Sequence, residues 1–216
     1  MSVIRNLRLV VLISGRGSNL QAILDQAISG ELPAAVVAVI SNQPGVYGLE
    51  RARQVGVPAL ELDHRHFADR PSFEAALMNL IDSYQPDLVI LAGFMRILTP
   101  GFTDYYQGRL LNIHPSLLPK FRGLHTHERA IAAGETEHGA TLHFVTAELD
   151  GGPLIVQARV PVWPDDDPGA LAARVLAQEH RLYPQAIRWL AEGRLKLNGE
   201  QVWFNGELLR EPLRLE

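Results

Sequence analysis

The sequence contains no cysteine, and this absence excludes several kinds of chemistry at once. Disulfide bonds, thiolate metal sites and thiol nucleophiles all require cysteine, so none of them can operate here. Long apolar runs are also missing, because each run is interrupted before it reaches the length that a membrane span needs. Residues 1–8 are too short and too polar for a signal peptide, so we expect a soluble, cytoplasmic protein.

Neither sign of charge is in large excess. The 20 basic and 24 acidic residues give a formal net charge of -4, so no overall field gathers nucleic acid or an anionic membrane. We therefore expect no nucleic-acid partner and no membrane partner. Separately, we expect small-molecule substrates and a monomer or weak homodimer. Any anionic ligand must be bound by local groups.

Apolar runs alternate with amphipathic stretches through the first half of the chain. This alternation predicts an α/β fold with a Rossmann-like, doubly wound, mostly parallel sheet, because crossovers between parallel strands are right-handed. The predicted strands are Arg8–Ser14, Ala35–Ser41, Ala59–Leu62, Asp87–Gly93 and Arg109–Ile113, and the predicted helices are Asn19–Ser29, Val46–Val55 and Pro71–Tyr84.

The pattern changes in the second half of the chain. Two strand-like runs, Ala140–Ala147 and Leu154–Val162, flank a turn that contains Asp150-Gly151. An Asp-Gly turn between apolar runs is typical of a hairpin, which predicts an antiparallel C-terminal edge on the sheet. One long helix is predicted over Pro168–Glu192, and two Asn-Gly pairs in the tail predict a small terminal hairpin.

The first polar cluster is SGRGSN, residues 14–19, which lies at a strand-to-helix turn. Such a turn presents backbone N–H groups and a helix N-terminus to an anion. Leu20 occupies the place where a dinucleotide fingerprint has a third small residue, and the next strand ends without an acidic residue. A phosphate monoester is therefore favoured over NAD. The alternative is an ordinary tight turn in which Ser18 or Asn19 caps the helix.

The second and third clusters supply an amide, an imidazole and a carboxylate. Strand alternation places Asn112 and His114 on one face, where both could contact one substrate atom. A strand-terminal His is, however, more often a structural hydrogen-bonding group. Asp150 could simply make its turn, or it could orient a nearby His and favour its protonated form. Sequence spacing does not show whether Asp150 and His114 meet.

Other residues allow competing interpretations. His125, His127, His138 and His143 could form a metal set, but no recognised ligand spacing is present and isolated surface histidines are common. Ser116 could be a nucleophile, although a turn residue beside proline is the simpler interpretation. A rigid turn after the strand makes Leu118-Pro119 the candidate for a cis bond.

Five segments carry a resemblance to a known family. They are SGRGSNLQAI, LAGFMRIL, LLNIHPSLLPKFRGLHTHERAI, HGATLHFVTAELDGGPLIVQ and AQEHRLYPQAI. On these segments the chain resembles the folate-dependent glycinamide ribonucleotide formyltransferases of purine biosynthesis, over about nine-tenths of its length. Arg16 and Arg122 depart from the family's usual pattern. The added domains of methionyl-tRNA formyltransferases and formyltetrahydrofolate deformylases are not expected, because the predicted elements extend close to both termini.

The resemblance implies specific site residues. Asn112, His114 and Asp150 would be the catalytic trio, with no metal. The residues that bind glycinamide ribonucleotide would be Gly17, Ser18 and Asn19 at its phosphate and Glu179 at its ribose hydroxyls. The residues that enclose the pterin of the co-substrate 10-formyltetrahydrofolate would be Met95, Arg96, Ile97, Leu98, Ala147, Glu148, Leu149 and Asp150.

The resemblance also implies an organisation and a reaction. We expect a single formyltransferase domain over residues 1–216, with a phosphate- or nucleotide-binding half at 1–100. A catalytic and folate-binding half would follow at 101–195, and a terminal hairpin or tail at 196–216. Direct formyl transfer to the substrate amine is expected, since an amine needs no covalent intermediate. The alternatives are a formyltetrahydrofolate hydrolase and a non-catalytic nucleotide-binding module.

Overall fold

The computed structural model describes residues 4–215, which form two β-sheets and flanking helices. The strands are β1 Leu7–Ile13, β2 Ala34–Ser41, β3 Ala59–Glu61, β4 Leu88–Leu91, β5 Leu110–His114, β6 Glu137–Phe144, β7 Leu154–Pro161, β8 Leu195–Asn198, β9 Gln201–Phe204, β10 Glu207–Leu208 and β11 Leu213–Leu215. The α-helices are α1 Ser18–Ile28, α2 Tyr47–Gln54, α3 Arg70–Ser83, α4 Pro100–Tyr105, α5 Thr126–Ala132 and α6 Pro168–Ala191, and a short 3₁₀ helix spans His64–His66. No helix within residues 4–215 has both the length and the apolar character to cross a membrane.

The main sheet confirms the predicted doubly wound, mostly parallel architecture. Its eight strands have the order β11, β7, β6, β5, β4, β1, β2, β3. Strands β1 to β5 pair in parallel with one another, whereas β6 pairs antiparallel with both β5 and β7. The predicted hairpin is therefore formed by β6 and β7. Strand β11 extends the sheet beyond β7 in parallel, and its three residues are too few to produce a recognisable sequence pattern.

Strand alternation divides the core into two layers. In β1, the side chains of Leu9, Val11 and Ile13 pack under α1, α2, α5 and α6, while Val10 and Leu12 pack under α3 and α4. All five side chains are fully buried, as expected for a central parallel strand with helices on both faces. Helices α4 and α5 were not predicted; with six and seven residues, they are too short for a clear helical period.

The C-terminal segment forms a second, three-stranded antiparallel sheet with the order β10, β9, β8. The turn between β9 and β10 contains Asn205 and Gly206, whose φ angles are +53° and +86°. Two consecutive positive φ angles are typical of a tight hairpin turn, which explains the Asn-Gly sequence at this point.

Helix α6 is tied to the sheet by one buried hydroxyl group. Tyr183 lies on α6 and is fully buried, and its hydroxyl lies 2.6 Å from the carbonyl oxygen of Leu91 and 3.1 Å from that of Leu111. These carbonyls belong to β4 and β5, the two strands whose carboxyl ends carry most of the polar residues discussed below. The hydroxyl therefore sets the distance between the longest helix and the centre of the sheet.

We predict that Tyr183→Phe lowers the free energy of unfolding by about 1 to 3 kcal/mol, because a buried carbonyl loses its donor. Urea unfolding followed by circular dichroism measures this difference. Tyr105→Phe is a matched control, since Tyr105 is exposed and its hydroxyl donates a hydrogen bond to Asp82 Oδ2. That substitution is expected to change stability by less than about 0.5 kcal/mol. Equal unfolding midpoints for Tyr183→Phe and the wild type would contradict the assigned role.

Candidate active site

The polar clusters lie at the edge of the sheet where the parallel strands β1, β4 and β5 end. This is the edge at which open parallel sheets bind ligands. Strand β6 is antiparallel to β5 and ends beside the start of β5, with Phe144 opposite Leu111, but the loop that follows it turns back along the cleft and brings Asp150 to His114 at the end of β5. The turn after β1 and the segment after β4 are joined directly, since the Met95 N–H donates to Ser14 Oγ at 2.8 Å.

The turn between β1 and α1 depends on close contact between glycines. Gly17 has a φ angle of +70°, and a Cβ there would lie 2.8 Å from the Cα of Gly48 on α2. A Cβ on Gly48 would in turn lie 2.5 Å from the Ile13 side chain and 2.9 Å from the carbonyl oxygen of Gly15. The Gly48 N–H donates to that same carbonyl at 3.1 Å. Both positions therefore require glycine for α2 to pack against the turn.

The start of α1 carries no side-chain cap within residues 4–215, and its N-cap residue is Gly17. The alternative in which Ser18 or Asn19 caps this helix is therefore wrong. Asn19 instead turns toward α6, where its Nδ2 donates to Glu179 Oε2 at 2.7 Å. An uncapped helix N-terminus favours an anion because its N–H groups lack acceptors.

Arg51, on α2, supports the turn between β1 and α1. Its Nε donates to the carbonyl oxygen of Arg16 at 2.8 Å, and its Nη1 donates to Gln21 Oε1 at 2.8 Å. The Arg51 guanidinium thus gives the Arg16 carbonyl a hydrogen-bond donor, and it adds a positive charge beside the turn. Sequence reasoning missed Arg51, since no local motif links a helix surface residue to a loop 35 positions earlier.

Glu179 is a buried carboxyl group on α6. Burial raises its pKa above the ordinary value, and the hydrogen bond from Asn19 opposes that effect. The Asn19 Oδ1 atom is also buried and has no hydrogen-bond partner among residues 4–215. A carboxylate and an amide oxygen therefore lie side by side with acceptor capacity that the protein itself does not fully use.

The structure brings Asn112, His114 and Asp150 together. His114 Nδ1 lies 3.4 Å from Asp150 Oδ2, and both side chains are at least nine-tenths buried. The opposite ring nitrogen, Nε2, donates to the carbonyl oxygen of Phe121 at 2.9 Å. Because that carbonyl can only accept, Nε2 carries a hydrogen, and Nδ1 donates toward Asp150 or a ligand only when the ring carries a second one.

His143 completes the group, and sequence reasoning did not assign it to the site. Its Nδ1 donates to the Phe144 carbonyl at 2.8 Å, so its Nε2 is the acceptor for Asn112 Nδ2 at 3.1 Å. His143 Nε2 also lies 3.9 Å from Asp150 Oδ1. Burial lowers the pKa of His143, which keeps the ring neutral and suited to accept from Asn112. The register of β5 against β6 would have identified His143, because this residue is the direct cross-strand partner of Asn112.

The segment 121–123 holds both His114 and Asp150 through its backbone. The Phe121 carbonyl accepts from His114, and the Gly123 N–H donates to Asp150 Oδ2 at 2.9 Å. The Arg122 side chain forms an ion pair with Glu148 in the loop that carries Asp150. The departure from the family pattern at Arg122 therefore has a structural partner in this chain.

A cleft with a cavity volume of about 110 Å³, open to solvent, lies beside these residues. Met95 is the exception among the predicted pterin contacts: its side chain is 70% exposed and does not line the cleft. The predicted residues that do line it are Arg96, Ile97, Leu98, Ala147, Glu148, Leu149 and Asp150, together with Asn112.

The histidines that could have formed a metal set do not lie together at the surface. His138 and His143 are buried, so the expectation of isolated surface histidines is wrong for these two. Burial, reinforced by the neighbouring His127 ring, lowers the pKa of His138 to about 4. Among residues 4–215, no group of histidines and carboxylates is arranged to hold a metal ion.

Ser116 is buried, and its hydroxyl donates to the Lys120 carbonyl at 2.6 Å, which makes it a structural residue and not a nucleophile. The turn that contains it is also held by Thr141, whose hydroxyl donates to the Ser116 carbonyl at 2.6 Å. The Leu118-Pro119 bond within this turn is cis, as predicted.

Comparisons with known proteins agree on one family. The family model described as formyl transferase matches residues 7–187. The chain is 52% identical to the phosphoribosylglycinamide formyltransferase of Escherichia coli strain K12, over 94% of this chain and 96% of that protein. It is 46% identical to the enzyme of the same name from Haemophilus influenzae, over 94% and 95% of the two chains.

Solved structures give the same result. The phosphoribosylglycinamide formyltransferase of Coxiella burnetii, solved in complex with CHES, superposes with a TM-score of 0.94 at 50% identity, covering 98% of this chain and all of that one. A family model that spans most of the chain, close relatives and a matching fold lead to one conclusion. This chain belongs to the formyl transferase family.

Proposed function

We propose that this protein transfers the formyl group of 10-formyltetrahydrofolate directly to the amine of glycinamide ribonucleotide, in purine biosynthesis. The observation that carries the proposal is the convergence of Asn112, His114 and Asp150, of which Asn112 and Asp150 line the cleft. The relatives named above, which share about half of their residues with this chain, support the same reaction. We also infer a cytoplasmic location and small-molecule substrates without nucleic-acid or membrane partners.

The ribonucleotide is assigned to the turn between β1 and α1. The N–H groups of Gly17, Ser18 and Asn19 would bind its phosphate at the uncapped N-terminus of α1, with the positive charge of Arg51 nearby. Glu179 and the unpartnered Asn19 Oδ1 would then accept hydrogen bonds from the ribose hydroxyls. This placement gives the buried acceptors the donors that residues 4–215 do not provide.

The folate is assigned to the cleft between the segment after β4 and the loop between β6 and β7. Arg96, Ile97 and Leu98 would lie on one side of the pterin, and residues 147–150 on the other. The formyl group would then lie beside Asn112 and His114. Because the Met95 N–H is bound to Ser14, the two substrate sites share one rigid connection.

The reaction needs only the protein's polar groups and the two substrates. The substrate amine attacks the formyl carbon, and its tetrahedral adduct carries a negative oxygen. The second amide hydrogen of Asn112 and protonated His114 would donate to that oxygen, and removing one such donor typically costs about 10²- to 10³-fold in rate. Asp150 would stabilise the protonated ring and take part in moving the amine's proton to the folate nitrogen that leaves.

The proposed function is tested by supplying both substrates and following formyl transfer by absorbance. We expect turnover that requires glycinamide ribonucleotide and that is lost when the 5-phosphate is removed from it, because the turn then has no anion to bind. Formate release without the ribonucleotide would identify a hydrolase instead. If the formyl group passed neither to the ribonucleotide nor to water, the result would contradict both the transferase and the hydrolase function.

We predict that Asp150→Asn lowers kcat by roughly 10²- to 10⁴-fold and changes KM for either substrate little. Asp150 has a φ angle of +49°, a conformation that Asn adopts readily, and Asn can still accept from the Gly123 N–H. The loop therefore keeps its shape and loses only the charge. Steady-state kinetics with Asp25→Asn, an exposed change on α1, as the control separates the two effects. Nearly full kcat in Asp150→Asn would refute the role of the carboxylate.

We predict opposite effects of Glu179→Gln on stability and on binding. Because the pKa of Glu179 is raised in the folded state, the carboxyl group loses its proton in the unfolded chain first, at a pH above about 4.5. The wild type therefore loses stability as the pH rises from about 4.5 to the raised pKa of the folded state. Gln carries no such cost, and the variant should be more stable than the wild type near about pH 8, with a smaller difference near pH 4.5. KM for the ribonucleotide should rise roughly 10-fold, because one charged acceptor for the ribose is lost.

Urea unfolding at the two pH values and steady-state kinetics measure these effects. Glu192→Gln at the far end of α6, where the side chain pairs with Arg194 on the surface, is the control and should change neither quantity appreciably. A Glu179→Gln variant that is less stable than the wild type at the higher pH would contradict the buried-charge argument.

A further inference from the structure

A single peptide group, between Arg122 and Gly123, connects helix α5 to the Asp150 carboxylate. Its N–H belongs to Gly123 and donates to Asp150 Oδ2 at 2.9 Å. Its carbonyl oxygen belongs to Arg122 and accepts from Arg129 Nη1 at 2.6 Å. Arg129 lies on α5, is exposed, and is not among the residues that line the cleft.

Planarity makes this connection rigid. The N–H and C=O of a trans peptide group point in opposite directions within one plane, so fixing the carbonyl also fixes the direction of the N–H. Arg129 therefore determines where the Gly123 N–H points. A positive donor on the carbonyl also polarises the peptide group, which strengthens the hydrogen bond on its other side.

The local backbone gives this peptide group little other support. Residues 121–125 lie outside any helix or strand, and Phe121 and Gly123 have φ angles of +56° and +78°. In a segment outside regular structure, a peptide group reorients at small cost unless side chains hold it. Arg129 supplies that hold at three places, since its Nη1 also lies 3.3 Å from the Leu124 carbonyl and its guanidinium lies 5.4 Å from the centre of the Phe121 ring.

The same segment also contacts the other catalytic side chain. The Phe121 carbonyl accepts from His114 Nε2, so residues 121 and 123 contact the two members of the His114–Asp150 pair from one side. A rotation of the segment would change the 3.4 Å separation between His114 Nδ1 and Asp150 Oδ2. Among the residues assigned to the substrates, this segment contacts Asp150 through Gly123 and Glu148 through Arg122.

We propose that Arg129 is a positioning residue for formyl transfer, which acts on Asp150 through the Arg122–Gly123 peptide group. The inference rests on the proposed function, because it assigns Arg129 to the transfer step of that reaction. Arg129 contacts no substrate. Its effect is on kcat, since it sets the placement of a group that works in the transition state.

The first test is a set of three variants. Arg129→Met keeps the length and the apolar contact with Phe121 but removes the donors, and it should lower kcat roughly 2- to 10-fold with both KM values nearly unchanged. Arg129→Lys keeps one charged donor and should recover part of this loss. Arg159→Met, at an exposed arginine on β7 that pairs with Glu137, is the matched control and should retain wild-type kinetics. Equal losses in the Met and Lys variants would mean that a charged donor at this position does not support turnover, and they would overturn the proposal.

The second test combines the substitution with Asp150→Asn. That background contains no carboxylate to position, so Arg129→Met should cause no further loss of kcat. A loss of the same size in both backgrounds would mean that Arg129 acts by another route, and the proposal would fail while the proposed function stood.

The third test does not depend on activity. With ¹⁵N-labelled glycine, the Gly123 N–H should exchange with solvent roughly 10-fold faster in Arg129→Met than in the wild type. The Gly48 N–H, which donates to the Gly15 carbonyl, is the internal reference and should not change. If the wild type transfers no formyl group, the proposed function fails, and this exchange rate still decides whether Arg129 holds the peptide group. An unchanged Gly123 rate would overturn the inference.

Discussion

The contact between the Asp150 carboxylate and the His114 ring is the interaction on which the site depends. The two residues are 36 positions apart in sequence, and their side chains meet at 3.4 Å because the loop after β6 turns back from the start of β5, where β6 ends, to His114 at the end of β5. The backbone of residues 121–123 supplies one acceptor for the ring and one donor for the carboxylate. A buried contact between a ring and a carboxylate is stable only when the remaining polar atoms are also bonded, and these backbone groups provide such bonds.

The fold positions the substrates by a few specific constraints. Contact between Gly17 and Gly48 shapes the turn that is proposed to bind the phosphate, and Ser14 connects this turn to the segment after β4. The site also carries costs in stability. Burial disfavours the charged forms of Glu179 and His143, and such costs are typical of sites that are selected for function more than for stability.

Much of the architecture could be predicted from the sequence because it depends on local patterns. Buried runs such as Leu9 to Leu12 and the long amphipathic helix α6 have clear periods, and the Asp-Gly turn indicated the hairpin. The site was harder. The roles of His143, Arg51 and Arg129 depend on cross-strand register and on loop conformation, neither of which leaves a local signal. The seven residues of α5 and the three of β11 are determined by tertiary packing, which overrides their weak intrinsic preferences.

The most direct test of the central claim is a crystal structure of the protein with glycinamide ribonucleotide and a non-reactive analogue of formyl-folate. The account predicts that the substrate amine and the carbon that mimics the formyl group lie between Asn112 and His114, within hydrogen-bonding reach of both. The phosphate should lie at the Gly17 turn, and Asp150 should remain against the His114 ring. A complex in which the amine lies away from this pair, or in which Asp150 turns out to solvent, would contradict the account.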